Sequence, residues 1–115
     1  MHRPGADPTD MRAEDFLCDF CGHHWAEDRP MIEGHRGSLV CGRCLSVAYA
    51  AVVHAGAGGA VDGPACTMCL ETRPEAHWDS PLRDKARICR RCIELAARQL
   101  QRDRGSGWRI PDAPP

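Results

Sequence analysis

Cys18-Asp19-Phe20-Cys21 and Cys41-Gly42-Arg43-Cys44 return 48 residues later as Cys66-Thr67-Met68-Cys69 and Cys89-Arg90-Arg91-Cys92. All eight cysteines of the chain belong to these four pairs, and within each copy nineteen residues separate the pairs (22–40 and 70–88). Two residues between paired cysteines is the spacing of a zinc knuckle, and two knuckles supply the four ligands of a tetrahedral structural site. An unbroken repeat predicts one self-sufficient site per copy. A cross-braced pairing of alternate knuckles is the less economical alternative.

The composition agrees with a fold held by something other than a large core. Ile, Leu, Val and Phe together make 18 of 115 residues, and the formal charge is only −1. The repeat divides the chain into two units of about forty residues, a size that usually needs a metal or disulfides. No run is long enough to span a membrane and the first fifteen residues lack the apolar stretch of a signal peptide, so the expected compartment is cytoplasmic. In that reducing setting paired cysteines are read as metal ligands before disulfides. Two zinc ions are the expected cofactors, with four-thiolate iron as the rival.

From these anchors the chain divides into a disordered leader (1–15), a first finger (16–55), a glycine-rich linker (56–63), a second finger (64–101) and a disordered tail (102–115). In the first finger, Met31-Ile32-Glu33-Gly34 and Ser38-Leu39-Val40 are two short strands turning through Gly34 to Gly37. A helix starts at the second knuckle and ends at Gly56; Leu45, Ala48 and Val52 form its main stripe, with Val47, Ala50 and Val53 off it. A helix apolar on more than one face calls for a second body, most economically the other finger. The second finger repeats the order with a more polar loop, carrying Pro74 and Pro81, that weakens its hairpin signal. Leu70 stands where the first knuckle has Gly22, so a different turn is expected there. Its helix shows a clear stripe, Ile93, Ala96, Ala97 and Leu100.

Knuckle, hairpin and two ligands opening a helix describe a treble-clef-like finger, whose last ligand pair sits where the helix dipole favours thiolate charge. The fold class is therefore small, α+β and metal-stabilised, the two fingers pairing as an intrachain pseudo-dimer. Cys18, Cys21, Cys41, Cys44, Cys66, Cys69, Cys89 and Cys92 are the metal ligands. His23, His24 and His35 are expected beside the ligands or at the surface. Four thiolates close each coordination sphere, so no position remains to activate water and the chain is not expected to be an enzyme. The P-loop pattern is absent, and Lys85 is the only lysine.

Cys18-Asp19-Phe20-Cys21-Gly22, Met31-Ile32-Glu33-Gly34 and Ile88-Cys89-Arg90-Arg91-Cys92-Ile93-Glu94-Leu95 resemble the zinc-binding domain of the ClpX protein unfoldase. The likeness covers residues 16–53 and, more weakly, 64–101. It implies a treble-clef-like finger with four cysteine ligands, dimer packing through helix and hairpin surfaces, and recruitment of substrates and adaptor tails. This chain differs in having two fingers and no ATPase module.

The expected function is a structural-zinc module that binds a protein or peptide partner as an adaptor or regulator, acting as a monomer with paired fingers or as a homodimer. Phe20, Met31, Ile32, Leu39, Tyr49 and Val53 are the candidate contact residues. The alternative is nucleic-acid binding through the basic second finger, above all Arg87, Arg90, Arg91 and Arg98. Against it, the formal charge of −1 becomes −5 once two divalent ions and eight thiolates are counted.

Overall fold

A computed structural model describes residues 1–56 and 63–113; most of the expected linker, and Pro114 and Pro115, lie outside them. Each copy of the repeat builds a knuckle, a two-stranded antiparallel hairpin and a helix. In the first, β1 (Met31–Glu33) pairs with β2 (Leu39–Cys41), followed by α1 (Gly42–Tyr49). In the second, β3 (His77–Asp79) pairs with β4 (Arg87–Cys89), followed by α2 (Arg90–Arg102).

The repeat extends to the backbone bonds. Cys18 N–H donates to His23 C=O and Gly22 N–H to Cys18 C=O; 48 residues on, Cys66 donates to Glu71 and Leu70 to Cys66, all at 2.8–2.9 Å. The knuckles are thus the same turn. The sequence expectation of a different turn at Leu70 is corrected: Leu70 takes φ +65°, matching φ +77° at Gly22. A left-handed leucine is strained by its Cβ, at a cost of about 1–2 kcal/mol, and here the closed site holds it. The hairpins do differ. Met31 faces Cys41 across the first, whereas His77 faces Cys89 across the second, so the second loop is two residues longer and takes up Pro81.

α1 continues through a π-helical turn, Ala50–His54, and the chain leaves it at Gly56 with φ +67°. A single buried cluster joins both copies: Phe20, Val40, Leu45, Ala48 and Val52 from the first meet Met68, Ile88, Ile93, Ala96 and Leu100 from the second. The helices α1 and α2 pack on each other, which accounts for the extra apolar face of α1.

The contact between copies is reciprocal. Ser80, from the second hairpin loop, donates through its hydroxyl to the backbone carbonyl of Phe20. His35 N–H, from the first hairpin turn, donates to the carbonyl of Met68 at 2.8 Å. Phe20 and Met68 hold the same knuckle position, 48 residues apart, so each hairpin grips the other copy's knuckle. The approach is close: a Cβ on Gly34 would lie 2.7 Å from Met68 O and 2.7 Å from Ser38 Oγ. Phe20 also stacks obliquely on Trp78, ring centroids 5.9 Å apart.

Neither end is the free tail expected from its composition. The Met1 amine donates to Leu17 C=O and to the Asp19 carboxylate (2.8 Å each), and Arg3 pairs with buried Asp15 at 2.7 Å. At the other end the Trp108 indole N–H donates to Gly42 C=O and Ser46 Oγ (2.9 Å each), and the His54 ring bonds to Pro111 C=O at 2.6 Å. An indole laid on an apolar surface with its N–H satisfied outweighs the local signals of Gly105, Gly107 and Pro111. No described helix is long and apolar enough to cross a membrane.

Candidate metal centres

The eight cysteines form two sets of four in sequence order, Cys18, Cys21, Cys41, Cys44 and Cys66, Cys69, Cys89, Cys92, with the Sγ atoms of each set within 4.8 Å of one another. The cross-braced pairing is not what the chain forms. In each set the first two sulfurs come from the knuckle, the third caps the helix N-terminus and the fourth sits in its first turn.

The sulfur spacings fit a tetrahedral ion. Cys21 Sγ and Cys41 Sγ are 3.7 Å apart, and Cys69 Sγ and Cys89 Sγ 3.9 Å. A tetrahedron with metal–sulfur bonds of about 2.3 Å has edges of about 3.8 Å, whereas a disulfide is only about 2.05 Å long. All eight thiols are free.

Backbone amides point at the sulfurs, as thiolates require. Phe20 N–H and Cys41 N–H both donate to Cys18 Sγ at 3.3 Å, and Cys44 N–H donates to Cys41 Sγ at 3.5 Å. In the second set Cys89 N–H donates to Cys66 Sγ at 3.4 Å. A guanidinium also covers the first set, with Arg29 Nη1 3.9 Å from Cys21 Sγ and 4.0 Å from Cys41 Sγ. Arg73 has the corresponding task at the second, where its bond to Cys69 holds its pKa above the usual arginine value.

The proton affinities show why a cation belongs among these sulfurs. Thiol bonds from Cys18 and Cys44 hold Cys41 far below the ordinary thiol range; bonding to Cys41 pushes Cys18 up to about 12, and Cys44, bonded to Cys18 and Cys41, is pushed higher still. In the second set, bonds from Cys89 and Cys92 hold Cys66 down; bonding to Cys66 raises Cys89 to about 12, and bonding to Cys66 and Cys89 raises Cys92 further. Without a metal each set accommodates one thiolate readily and resists the others through like-charge crowding. A divalent ion lets all four ionise.

His23, His24 and His35 are exposed, and among the described residues no histidine joins either set. Of the expected contact residues, Phe20 and Leu39 are buried, and Met31, Ile32, Tyr49 and Val53 are half-buried against the common core; they hold the copies together. Of the candidate nucleic-acid contacts, Arg87 is buried and bonds Asp79 at 2.7 Å, Arg90 bonds Glu94 at 2.7 Å, and Arg91 and Arg98 are exposed. The arginines over the thiolates, Arg29 and Arg73, were not singled out by spacing, since guanidinium contacts are set by the folded loop. Comparison of this chain with protein-family models, with curated proteins and with solved structures gave no match.

Proposed function

We propose that this chain is a structural-zinc module whose task is to bind another protein or peptide, its two treble-clef-like fingers forming an intrachain pseudo-dimer. The observation that carries this reading is the pair of closed cysteine sets, each supplying four sulfurs at tetrahedral spacing. A sphere filled by four thiolates is a folding device: the binding free energy of zinc in such a site, on the order of 10–16 kcal/mol, becomes folding energy. What such a device holds in shape is a surface. The likeness to the ClpX-type domain, carried by the residues quoted above, supports protein recruitment as its use and the cytoplasm as its place.

The nucleic-acid alternative has less support. Arg87 and Arg90 are engaged by Asp79 and Glu94, leaving Arg91 and Arg98 of its four named contacts.

Metal analysis with native mass spectrometry of protein purified without added metal tests the reading. The expected result is two zinc ions per chain and loss of the folded state on chelation. A metal-free chain containing disulfides would overturn it, and iron in both sites would overturn the choice of metal.

A further inference from the structure

Two open grooves lie beside the metal centres at positions related by the repeat. One runs along Cys21, His23, Arg43, Cys44 and Val47 and is walled by Trp78, Pro81 and Leu82 of the second hairpin; its volume is about 260 Å³. The other runs along Cys69, Glu71, Arg91, Cys92 and Leu95, walled by Ile32, Glu33 and His35 of the first hairpin, with a volume of about 330 Å³. In both, one copy's metal-bearing knuckle and helix form the floor and the other copy's hairpin forms the side.

The shared position makes their differences informative. The second groove balances its own charge: Glu33 and Glu71 stand among its cations, and Arg73 is ion-paired with Glu71. The first has no carboxylate in its lining. Its cations are Arg29, which faces the thiolates of Cys21 and Cys41, and Arg43, which has no ion-pair partner among the described residues. Arg83 adds a third charge close by, its guanidinium lying against Gly22. Because Arg29 offsets the negative metal–thiolate centre, Arg43 and Arg83 remain as uncompensated charge.

The apolar side of this groove is exposed as well. Leu82 is 70% accessible and Val47 54%, next to half-buried Trp78 and exposed Pro81. Large apolar side chains gathered in a concavity, with cations at the edge, are the makings of a recognition site. At about 260 Å³ it lies below the range of drug-sized ligand cavities, and it is open, so it accommodates one or two side chains of an extended segment.

We propose that the groove formed by Val47, Trp78, Pro81, Leu82 and Arg43 docks an acidic, apolar peptide segment of a partner protein. A bulky side chain seats between Val47 and Leu82, and an adjacent Asp or Glu carboxylate meets Arg43. This rests on the reading of the chain as a protein-binding module and gives that reading a location and a ligand chemistry.

The test is selection of displayed random heptapeptides on the zinc-loaded full chain. Titration of the selected peptides, and of versions with Asp and Glu replaced by Asn and Gln, follows. The expected sequences pair a large apolar residue with an adjacent acid. Val47→Ser and Leu82→Ser should each weaken binding about tenfold or more, and Arg43→Gln should weaken it and flatten its salt dependence. Leu95→Ser, at the repeat-related position, should leave it unchanged. All are exposed positions, and retention of two zinc ions checks folding. Peptides that bind the Val47 and Leu82 variants as well as the parent overturn the groove while sparing the protein-binding reading. Failure to select any peptide counts against both. A dimer of the parent chain that Leu82→Ser converts to monomer overturns the proposal by placing a second copy in the groove.

Discussion

Gly34→Ala is the sharpest probe of how the two copies meet. The new methyl would lie 2.7 Å from the Met68 carbonyl oxygen and 3.0 Å from its Cα, both main-chain atoms of a knuckle that is fixed by its metal, and 2.7 Å from Ser38 Oγ. The serine hydroxyl can turn aside, but the Met68 backbone cannot. The first hairpin therefore has to back away by more than half an ångström, stretching the bond from His35 N–H to Met68 C=O. Overpacking of this kind costs about 1–3 kcal/mol, and a weakened hydrogen bond adds about 0.5–1.5 kcal/mol. We expect a total near 2–3 kcal/mol, which in a chain of this size lowers Tm by roughly 8–12 °C. The assay is thermal unfolding followed by circular dichroism in a small excess of zinc, with metal content measured for parent and variant. A variant that holds two zinc ions and melts within about 2 °C of the parent would refute the reciprocal grip of hairpin on knuckle.

Leu70→Gly should raise stability by about 0.5–1 kcal/mol, because it removes a left-handed leucine at a position that is half exposed; chelator competition at the second site is the direct measurement, and a fall in metal retention would contradict it. Asp79→Asn should cost about 1 kcal/mol at pH 7 in urea titrations. The hydrogen bond from Arg87 holds the Asp79 carboxyl below its usual range, so its stabilisation is complete above about pH 4 and lost only as pH falls through the depressed folded value. About 1 M salt should shrink the deficit, and an undiminished one would point to packing instead. Trp108→Ala should lower stability by about 2–3 kcal/mol through the loss of an indole that is half-buried on α1 and bonded to Gly42 and Ser46; an unchanged melt would mean that the C-terminal segment is not part of the fold.

Much of this architecture was legible in the chain because the cysteines impose it. Their 48-residue register fixed the two ligand sets, the strand before each second knuckle and the helix after it. Val47 and Val53, off the main stripe of α1, correctly signalled that the helix needs a second body. Features missed from the sequence depend on contacts between segments far apart in it. Trp108 looked like part of a tail because its partner, Gly42, is 66 residues away. Leu70 looked unable to make the turn of Gly22 because local preference favours glycine there, and the closed site overrides that preference. Phe20 and Leu39 were read as an available surface because one finger alone would leave them uncovered. The groove beside the first centre has no sequence signature at all, since its floor and wall come from different copies.

The reciprocal contact of Ser80 with Phe20 and of His35 with Met68 has a genetic side. In a homodimer every amino-acid change is made twice, once on each side of the axis, so no face can acquire a property without its twin acquiring it too. Joining both halves in one polypeptide removes that constraint while keeping the mutual support that folds them. His23 opposite Glu71 and Val47 opposite Leu95 are positions where the halves have already parted, which leaves one side free to specialise and the other to serve as its scaffold.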